Sequence, residues 1–565
     1  MKIRYIIIGI LVGLFSVSCD ILDKEDQMSL GDGQVWSSEM YATNYLNQLY
    51  RDNAPQWDLN ISGKSDEAEK YGDNELYGQL ILQNLNDYWY YDQIRRINLL
   101  LQKLGTSTLN QELKNKLRGQ ALVLRAWRYF QMVRLYGGIP MILEPQELTD
   151  DIYPARSKTS ESIAIMVKDL DDAYELLPWE WTGSDEGRYT KAVALALKGR
   201  ILLFHASPQF TPVSNNERWL TAYDANQAAL TELRTRGFGL YPDYGQFWFD
   251  EMNEEVVMVT RYHATSESVG YGSPWNAATR PLDEAQNYTG ANHPTWNLVK
   301  SYPMVTGEPI DESSLYDPVL FWKNRDPRFR ASIVYNGSIW ELSGKTARKQ
   351  WTYIGAQGDY TSQTGFYCRK AVDISLTPAQ SQYSSTDWVE IRFAEVMLNF
   401  AECAAELGKL DEAYAILKEI RQRAGIESGS NGMHGLKAGM SKDEMIDAIM
   451  LERKIELAFE GKRYWDLRRR RLFESELNGT FREGMRPSFV AGMNLDKLLE
   501  IQNTADFEND YSLYFKDSEH NTDRNYVIDY KENYYFFGLP NKHLETNSQL
   551  EQTAGWNNGT FDPLL

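Results

Sequence analysis

The chain has 565 residues, enough for one large domain or about four small ones, and long enough to bury a sizeable core. Its 79 acidic against 59 basic residues give a formal charge of −20, which argues against a nucleic-acid-binding surface, since that needs net positive charge. Three cysteines, Cys19, Cys368 and Cys403, form no CxxC pair, which argues against a zinc ribbon, an iron–sulfur site or a disulfide scaffold.

The N-terminus reads as a targeting segment. Lys2 and Arg4 precede a ten-residue apolar run, Ile6–Phe15, too short for a membrane span and suited to a signal peptide. Ser16, Val17 and Ser18 put small residues before Cys19, as at a bacterial lipoprotein cleavage site, although Ser16 stands where Leu is usual. An ordinary secretory signal with a chance cysteine is the plainer alternative. Each buried acyl methylene contributes about 0.8 kcal/mol, so two chains on Cys19 would anchor the protein without a spanning helix. Removing residues 1–18 takes two bases and no acids, leaving a charge of −22.

The predicted elements follow in order. Asn110 caps a helix that runs to about Tyr136 and stops at Gly137, Gly138 and Pro140. Apolar residues from Ile163 to Leu177 recur at three and four, and Pro178 ends that helix. Thr190 opens Lys191–Ala206, and Glu217–Arg236 follows, closed by Gly237. From Phe238 to Asp387 Gly, Pro, Asn, Ser and Tyr dominate, with short strand candidates at Glu255–Tyr262 and Arg330–Tyr335. Helices return at Trp388–Leu407 and Asp411–Ala424, whose small residues Ala405, Gly408 and Ala413 are similar to those of a tetratricopeptide repeat. Ser441 and Glu444 form a capping box for a helix to Glu460, and Gly461 breaks it before Lys462–Leu472. The expected fold is mostly α: tetratricopeptide-like helix pairs, an α-α superhelix, with an irregular loop-rich half carrying short strands. The expected boundaries are a signal peptide at 1–18, a tether at 19–35, a helical region at 36–237 and a C-terminal region at 238–565. The last divides into loop-rich 238–387, helical 388–472 and a loop-rich tail at 473–565.

Enzyme signatures fail one by one. The six His residues are too far apart for HExxH, and GxSxG is absent. Gly337 to Thr346 ends like a phosphate loop, but six residues separate its glycines where four are required. Asp58, Asn60, Ser62 and Glu69 come near a calcium loop, but Ser62 is a poor ligand and the flanks do not read as amphipathic helices, so an ordinary polar turn is the better reading, and no metal or cofactor is expected. Glu452, Glu456 and Glu460 share a helix face and could serve a glycosidase as a carboxylate pair. Their basic neighbours favour an ion-pair network, and Arg468–Arg471 reads as a solvated helix end.

The positive evidence is aromatic. Trp57, Tyr71 and Trp89 lie between helical regions, with Tyr77 and Tyr88 beside them. Tyr271, Trp275, Tyr288 and Trp296 lie in the Gly- and Asn-rich middle among Asp283, Glu284, Gln286, Asn287 and Asn292. Such rings pack on the apolar face of a sugar while amides and carboxylates bond its hydroxyls. Each stacked sugar that removes roughly 50–60 Å² of apolar area gains about 1.5 kcal/mol. Two or three contacts then give about millimolar to micromolar affinity, which suits capture and release. Semi-buried packing is the competing role for each ring. The seven residues Trp57, Tyr71, Trp89, Tyr271, Trp275, Tyr288 and Trp296 are the candidate ligand contacts.

Several segments together resemble one family. They are Leu117–Phe130 with Leu135–Pro140, Gly187–Lys198, Tyr302–Gly307, Arg325–Phe329, Arg392–Glu402, Ile420–Gly425, Glu452–Arg463, Asp466–Arg469, and a tail with Leu539, Pro540, Asn547, Gln552, Gly555 and Trp556. Their order resembles the SusD/RagB outer-membrane lipoproteins of Bacteroidetes. The resemblance implies a surface lipoprotein anchored through Cys19 beside a SusC-like TonB-dependent barrel. It implies capture of oligosaccharide, or in some members peptide, without catalysis. It places variable binding loops before the Tyr91-x-x-Ile94 helix and upstream of Pro294-Thr295, where the aromatic clusters lie. A glycoside hydrolase and a ligand-free scaffold are the remaining alternatives.

Overall fold

The computed structural model describes residues 32–69, 72–147, 149, 152–264, 272–286, 290–359, 361–522 and 526–565. The signal peptide, Cys19, and the candidates Tyr71, Tyr271 and Tyr288 therefore lie outside the described residues. Among the described residues ten helices have eight or more residues: α1 Glu39–Asn53, α2 Tyr91–Thr106, α3 Gln111–Tyr136, α4 Thr159–Leu176, α5 Lys191–Ala206, α6 Asn216–Thr235, α7 Phe393–Glu406, α8 Leu410–Ala424, α9 Lys442–Glu456 and α10 Lys462–Arg469.

Local chemistry accounts for their ends. The Asn110 side chain accepts from Leu113 N at 2.8 Å, satisfying a first-turn donor of α3. Ser441 and Glu444 bond reciprocally at the start of α9, with Ser441 N donating to Glu444 Oε2 at 2.8 Å. Gly425, at φ 85°, closes α8 in a left-handed conformation that costs other residues a clash.

The helices pack as neighbours in pairs, α3 with α4, α5 with α6, and α7 with α8, and α4 packs on α5 and α6 on α7. Small residues allow this closeness. A Cβ on Gly199 of α5 would stand 2.4 Å from Asn226 Oδ1 on α6, and Asn226 Nδ2 donates back to Gly199 O at 3.0 Å. Leu, Ala, Val and Ile make up most of this layer, with rings such as Trp127, Phe130 and Phe204 among them.

The loop-rich half has short antiparallel ladders. β1 Ala68–Glu69 pairs with β3 His293–Pro294, β2 Val256–Thr260 with β6 Trp388–Arg392, β4 Ile333–Val334 with β5 Tyr367–Cys368, and β7 Glu483–Phe489 with β8 Phe515–Asn521. The expected helix at Trp388–Leu407 is corrected: its first five residues are β6, and only Phe393–Glu406 is helical. Strand pairing with β2 overrides the apolar run that reads as helix. The expected strand Arg330–Tyr335 shrinks to β4, because Pro327–Ser332 is a turn of helix capped by Asp326. The α9 helix ends at Glu456, four residues before the expected stop.

Buried ion pairs join the two halves. Arg392 contacts Glu456 at 2.6 Å and Glu460 at 2.8 Å, and also reaches Glu255. Arg328 binds Asp326, Glu452 and Glu456 at 2.6–2.8 Å. The network expected around Glu452, Glu456 and Glu460 is present. Burial alone would raise these three carboxyl groups, but the adjoining guanidinium and ammonium groups hold them below the usual carboxylate range. The solvated helix end expected at Arg468–Arg471 is corrected for its first half. Arg468 and Arg469 are fully buried, Arg468 donating to Tyr535 O at 2.8 Å and Arg469 pairing with Glu402.

Candidate functional site

Three of the predicted contacts are core residues. Trp57 and Trp275 stack with centroids 4.4 Å apart, inside a cluster completed by Trp248 and Trp388. They are 7% and 1% exposed, so neither offers a ring face to a ligand. Their indole nitrogens donate to Thr386 O at 3.2 Å and Lys370 O at 2.9 Å. Trp296 is equally buried, against Phe321 and Phe366. The two aromatic stretches of the sequence do meet, but their meeting point is a buried core. Rings of this size bury themselves where a loop-rich half lacks other apolar mass. The two segments also meet at the β1–β3 ladder.

Trp89 is half-buried and packs against Tyr91, Tyr136 and His543. It stands between Tyr88 and Tyr90 in the turn that leads into α2, where Tyr91 N donates to Trp89 O at 3.0 Å. Tyr88 and Tyr90 line a cleft of about 520 Å³, and Trp89 does not. This volume is in the range of small-ligand sites.

Two elements build the opposite wall of the cleft. On α3, Arg128, Gln131 and Arg134 recur every three residues and therefore share a helix face. On α10, Trp465 stands half-buried across from them. Gln56 and Asp58 at the rim are exposed, and Gln93 is half-buried. Each guanidinium lies over a ring: Arg128 is 4.6 Å from the Tyr90 centroid and Arg134 is 3.4 Å from that of Trp465. Stacking fixes the plane of each guanidinium and leaves its edge for hydrogen bonding.

The donors at this wall exceed the acceptors. Arg128 Nε donates to Asn53 Oδ1 at 2.8 Å, and its Nη2 donates to Asp52 O. Arg134 Nη2 donates to Gln131 Oε1, leaving Arg134 Nε and Gln131 Nε2 buried without partners. Burial, with no carboxylate in contact, pulls the Arg134 guanidinium down to about 9 and lowers that of Arg128. Sequence reasoning missed these residues because Arg128, Gln131 and Arg134 read as part of an ordinary long helix. The only signal was polar residues at a spacing of three beside buried aliphatics.

The other chemical candidates are structural. Asp58 Oδ1 accepts from Asn60 N at 2.9 Å, forming a polar turn at the rim of the cleft. Among the described residues no three His, Cys, Asp or Glu side chains gather as a metal site. Every carboxyl oxygen of Glu452 and Glu456 is bonded to an arginine, so neither carboxylate is open to a substrate. Among the described residues no helix is long and apolar enough to cross a membrane.

Comparison with known proteins gives consistent likenesses. Residues 254–556 match a family model described as the SusD family. Residues 20–203 match a model described as starch-binding associating with outer membrane. The SusD-like protein P38 of Formosa agariphila is 23% identical over 482 residues, covering 80% of this chain and 88% of its own. P2 of the same organism is 26% identical over 423 residues, covering 73% and 75%. A SusD-like protein of Bacteroides fragilis superposes with a TM-score of 0.76 at 24% identity, covering 94% of this chain and 99% of its own. A laminarin-binding SusD-like protein superposes at 0.61 with 18% identity, covering 92% and 100%.

Proposed function

The chain belongs to the SusD family, and from that premise we propose that it captures oligosaccharide at the cleft between α3 and α10. The observation that carries this reading is the cleft's composition: half-buried Tyr88, Tyr90 and Trp465 beside Arg128, Gln131, Gln93 and Arg134. Rings beside hydrogen-bonding groups match what a sugar presents, an apolar face edged by hydroxyls. The match to a starch-binding outer-membrane family and the laminarin-binding neighbour support the same class of ligand.

The captured sugar passes to a SusC-like TonB-dependent barrel, and Cys19 carries the lipid that holds the protein on the outer face of the outer membrane. The apolar run before Cys19 and the family membership support this placement. Radiolabelled palmitate incorporated by the wild type and not by Cys19→Ser tests the anchor, and co-purification of a barrel tests the partner.

Titration calorimetry of the full-length chain in detergent, against plant, host and microbial glycans, tests the capture. Micromolar-to-millimolar binding of one glycan class, weakened about tenfold by Tyr90→Ala at unchanged melting temperature, is expected. No binding across the panel overturns the reading.

A further inference from the structure

We propose that Arg128, Gln131 and Arg134 form an oxyanion subsite that selects sugars carrying a carboxylate or sulfate group over neutral ones. This inference rests on the capture reading and concerns the same cleft.

Arg134 Nε and Gln131 Nε2 are buried donors with no acceptor. Gln131 turns its acceptor oxygen to Arg134, so the groups that these two side chains leave unpaired are both N–H donors. A neutral hydroxyl could accept one such bond, but it would also bring a donor that needs an acceptor of its own. An oxyanion brings only acceptors, and its bonds to guanidinium groups are charge-assisted and stronger than neutral ones.

The charges agree. The carboxylates around the cleft are committed elsewhere. Glu390 and Glu395 are held by Arg200, Glu460 by Lys370 and Arg392, and Asp466 by Arg453 and Arg469. Asp52 pairs with Arg96 and accepts from Gln48. Asp58 stands exposed at the rim, within a polar turn. Among the described residues Arg128 and Arg134 have no carboxylate within ion-pair distance, although the whole chain carries −20. A partly buried guanidinium without a counter-charge is costly, and an anionic ligand supplies the missing charge. The stacked rings hold both forks in place before binding, which lowers the ordering cost.

The test uses the full-length chain in detergent, with D-galacturonate, D-galactose 6-sulfate, D-galactose and inorganic sulfate as probes. Both acidic sugars are expected to bind at least tenfold more tightly than galactose, with a preference that shrinks as salt rises. Arg134→Gln should bring them to the galactose level. Gln131→Glu sets a carboxylate beside Arg134 and should abolish the preference while keeping the fold, so the test survives if Arg134→Gln fails to fold. Equal affinity for acidic and neutral sugars overturns the inference and leaves sugar capture intact. A preference that persists in Gln131→Glu overturns it as well. Sulfate binding as tightly as the sugar acids would show a free-anion site and overturn the assignment to sugars. Binding of no probe overturns this inference, and the glycan panel on the same preparation then decides whether sugar capture fails with it.

Discussion

The helical layer closes on Leu, Ala, Val and Ile carried by α3, α5 and α7, whereas the loop-rich half closes on rings, with seven buried tryptophans among its described residues. The first core repeats one kind of contact: from α3 to α8 each helix packs on the next helix, and small residues set the spacing. The second joins distant segments, as when Trp57 stacks on Trp275 and donates to Thr386 O. A periodic core repeats the same contact, so its pattern is visible along the chain. A ring core makes each contact once, at separations from one residue, as for Phe321 and Trp322, to more than two hundred, as for Trp57 and Trp275, and leaves no period to read.

The sharpest way to break the comparison is to cut the ionic seam between the halves. Arg392→Met leaves Glu255, Glu456 and Glu460 buried without their shared cation. A loss of about 3–5 kcal/mol is expected in urea unfolding, as for other broken buried pairs. Trp275→Ala attacks the ring core alone and should cost about 3–5 kcal/mol, from lost apolar burial plus the cavity left behind. A Trp275→Ala protein that melts like the wild type and loses only sugar binding would reinstate Trp275 as a ligand contact.

These two variants mark what was legible. The helix spans 111–136, 191–206 and 410–424 follow from caps, stops and apolar spacing to within a residue. The ion network could be inferred from the alternation of Glu and Arg around Glu452, but not its reach to Arg328 and Arg392. Aromatic clusters were visible as composition, while their burial was not. A Trp beside Asn and Gly reads alike in a core and at a surface, because only the folded path decides which face is covered. Of the cleft lining, Tyr88, Asp58 and Glu460 carried a mark in the sequence, the last two for other chemistry, while the α3 wall is a stretch of helix with no local mark of function.

A pH series sharpens the contrast between paired and unpaired buried acids. Glu390 is held at about 2, because Lys462 and Arg200 outweigh the effect of its burial. Glu67, near β1, is pushed up to about 7 by burial, and among the described residues no Lys or Arg pairs with it. Glu390 therefore contributes stability above pH 4.5 that is lost as pH falls towards 2. Glu67 acts in the opposite sense: the folded state holds its proton longer than the unfolded state, so stability falls as pH rises from 4.5 to 7. Glu67→Gln should be more stable than the wild type at pH 8, by about 1–3 kcal/mol, and the difference should vanish below pH 4.5. Equal unfolding midpoints at pH 8 would show that the bond from Phe459 N to Glu67 Oε1, at 2.8 Å, offsets the burial of the charge.

The smallest expected effect concerns the most legible signal. Ser441 Oγ accepts from Glu444 N at 3.3 Å at the exposed start of α9. Ser441→Ala removes that bond, but water reaches the freed N–H, and the return bond from Ser441 N to Glu444 Oε2 survives. The loss should be about 1 kcal/mol. Measured beside Trp275→Ala in the same urea series, it tests whether local marks and long-range contacts differ in energy as they differ in visibility. A cap works through a bond that solvent can largely replace, and so its motif is short and local. A buried ring or ion pair has no such substitute, and its partners are set only when the chain has folded. If Ser441→Ala cost 3 kcal/mol or more, α9 would depend on its first turn as much as on its packing. The division between readable, inexpensive ends and unreadable, costly cores would then fail in the helical layer itself.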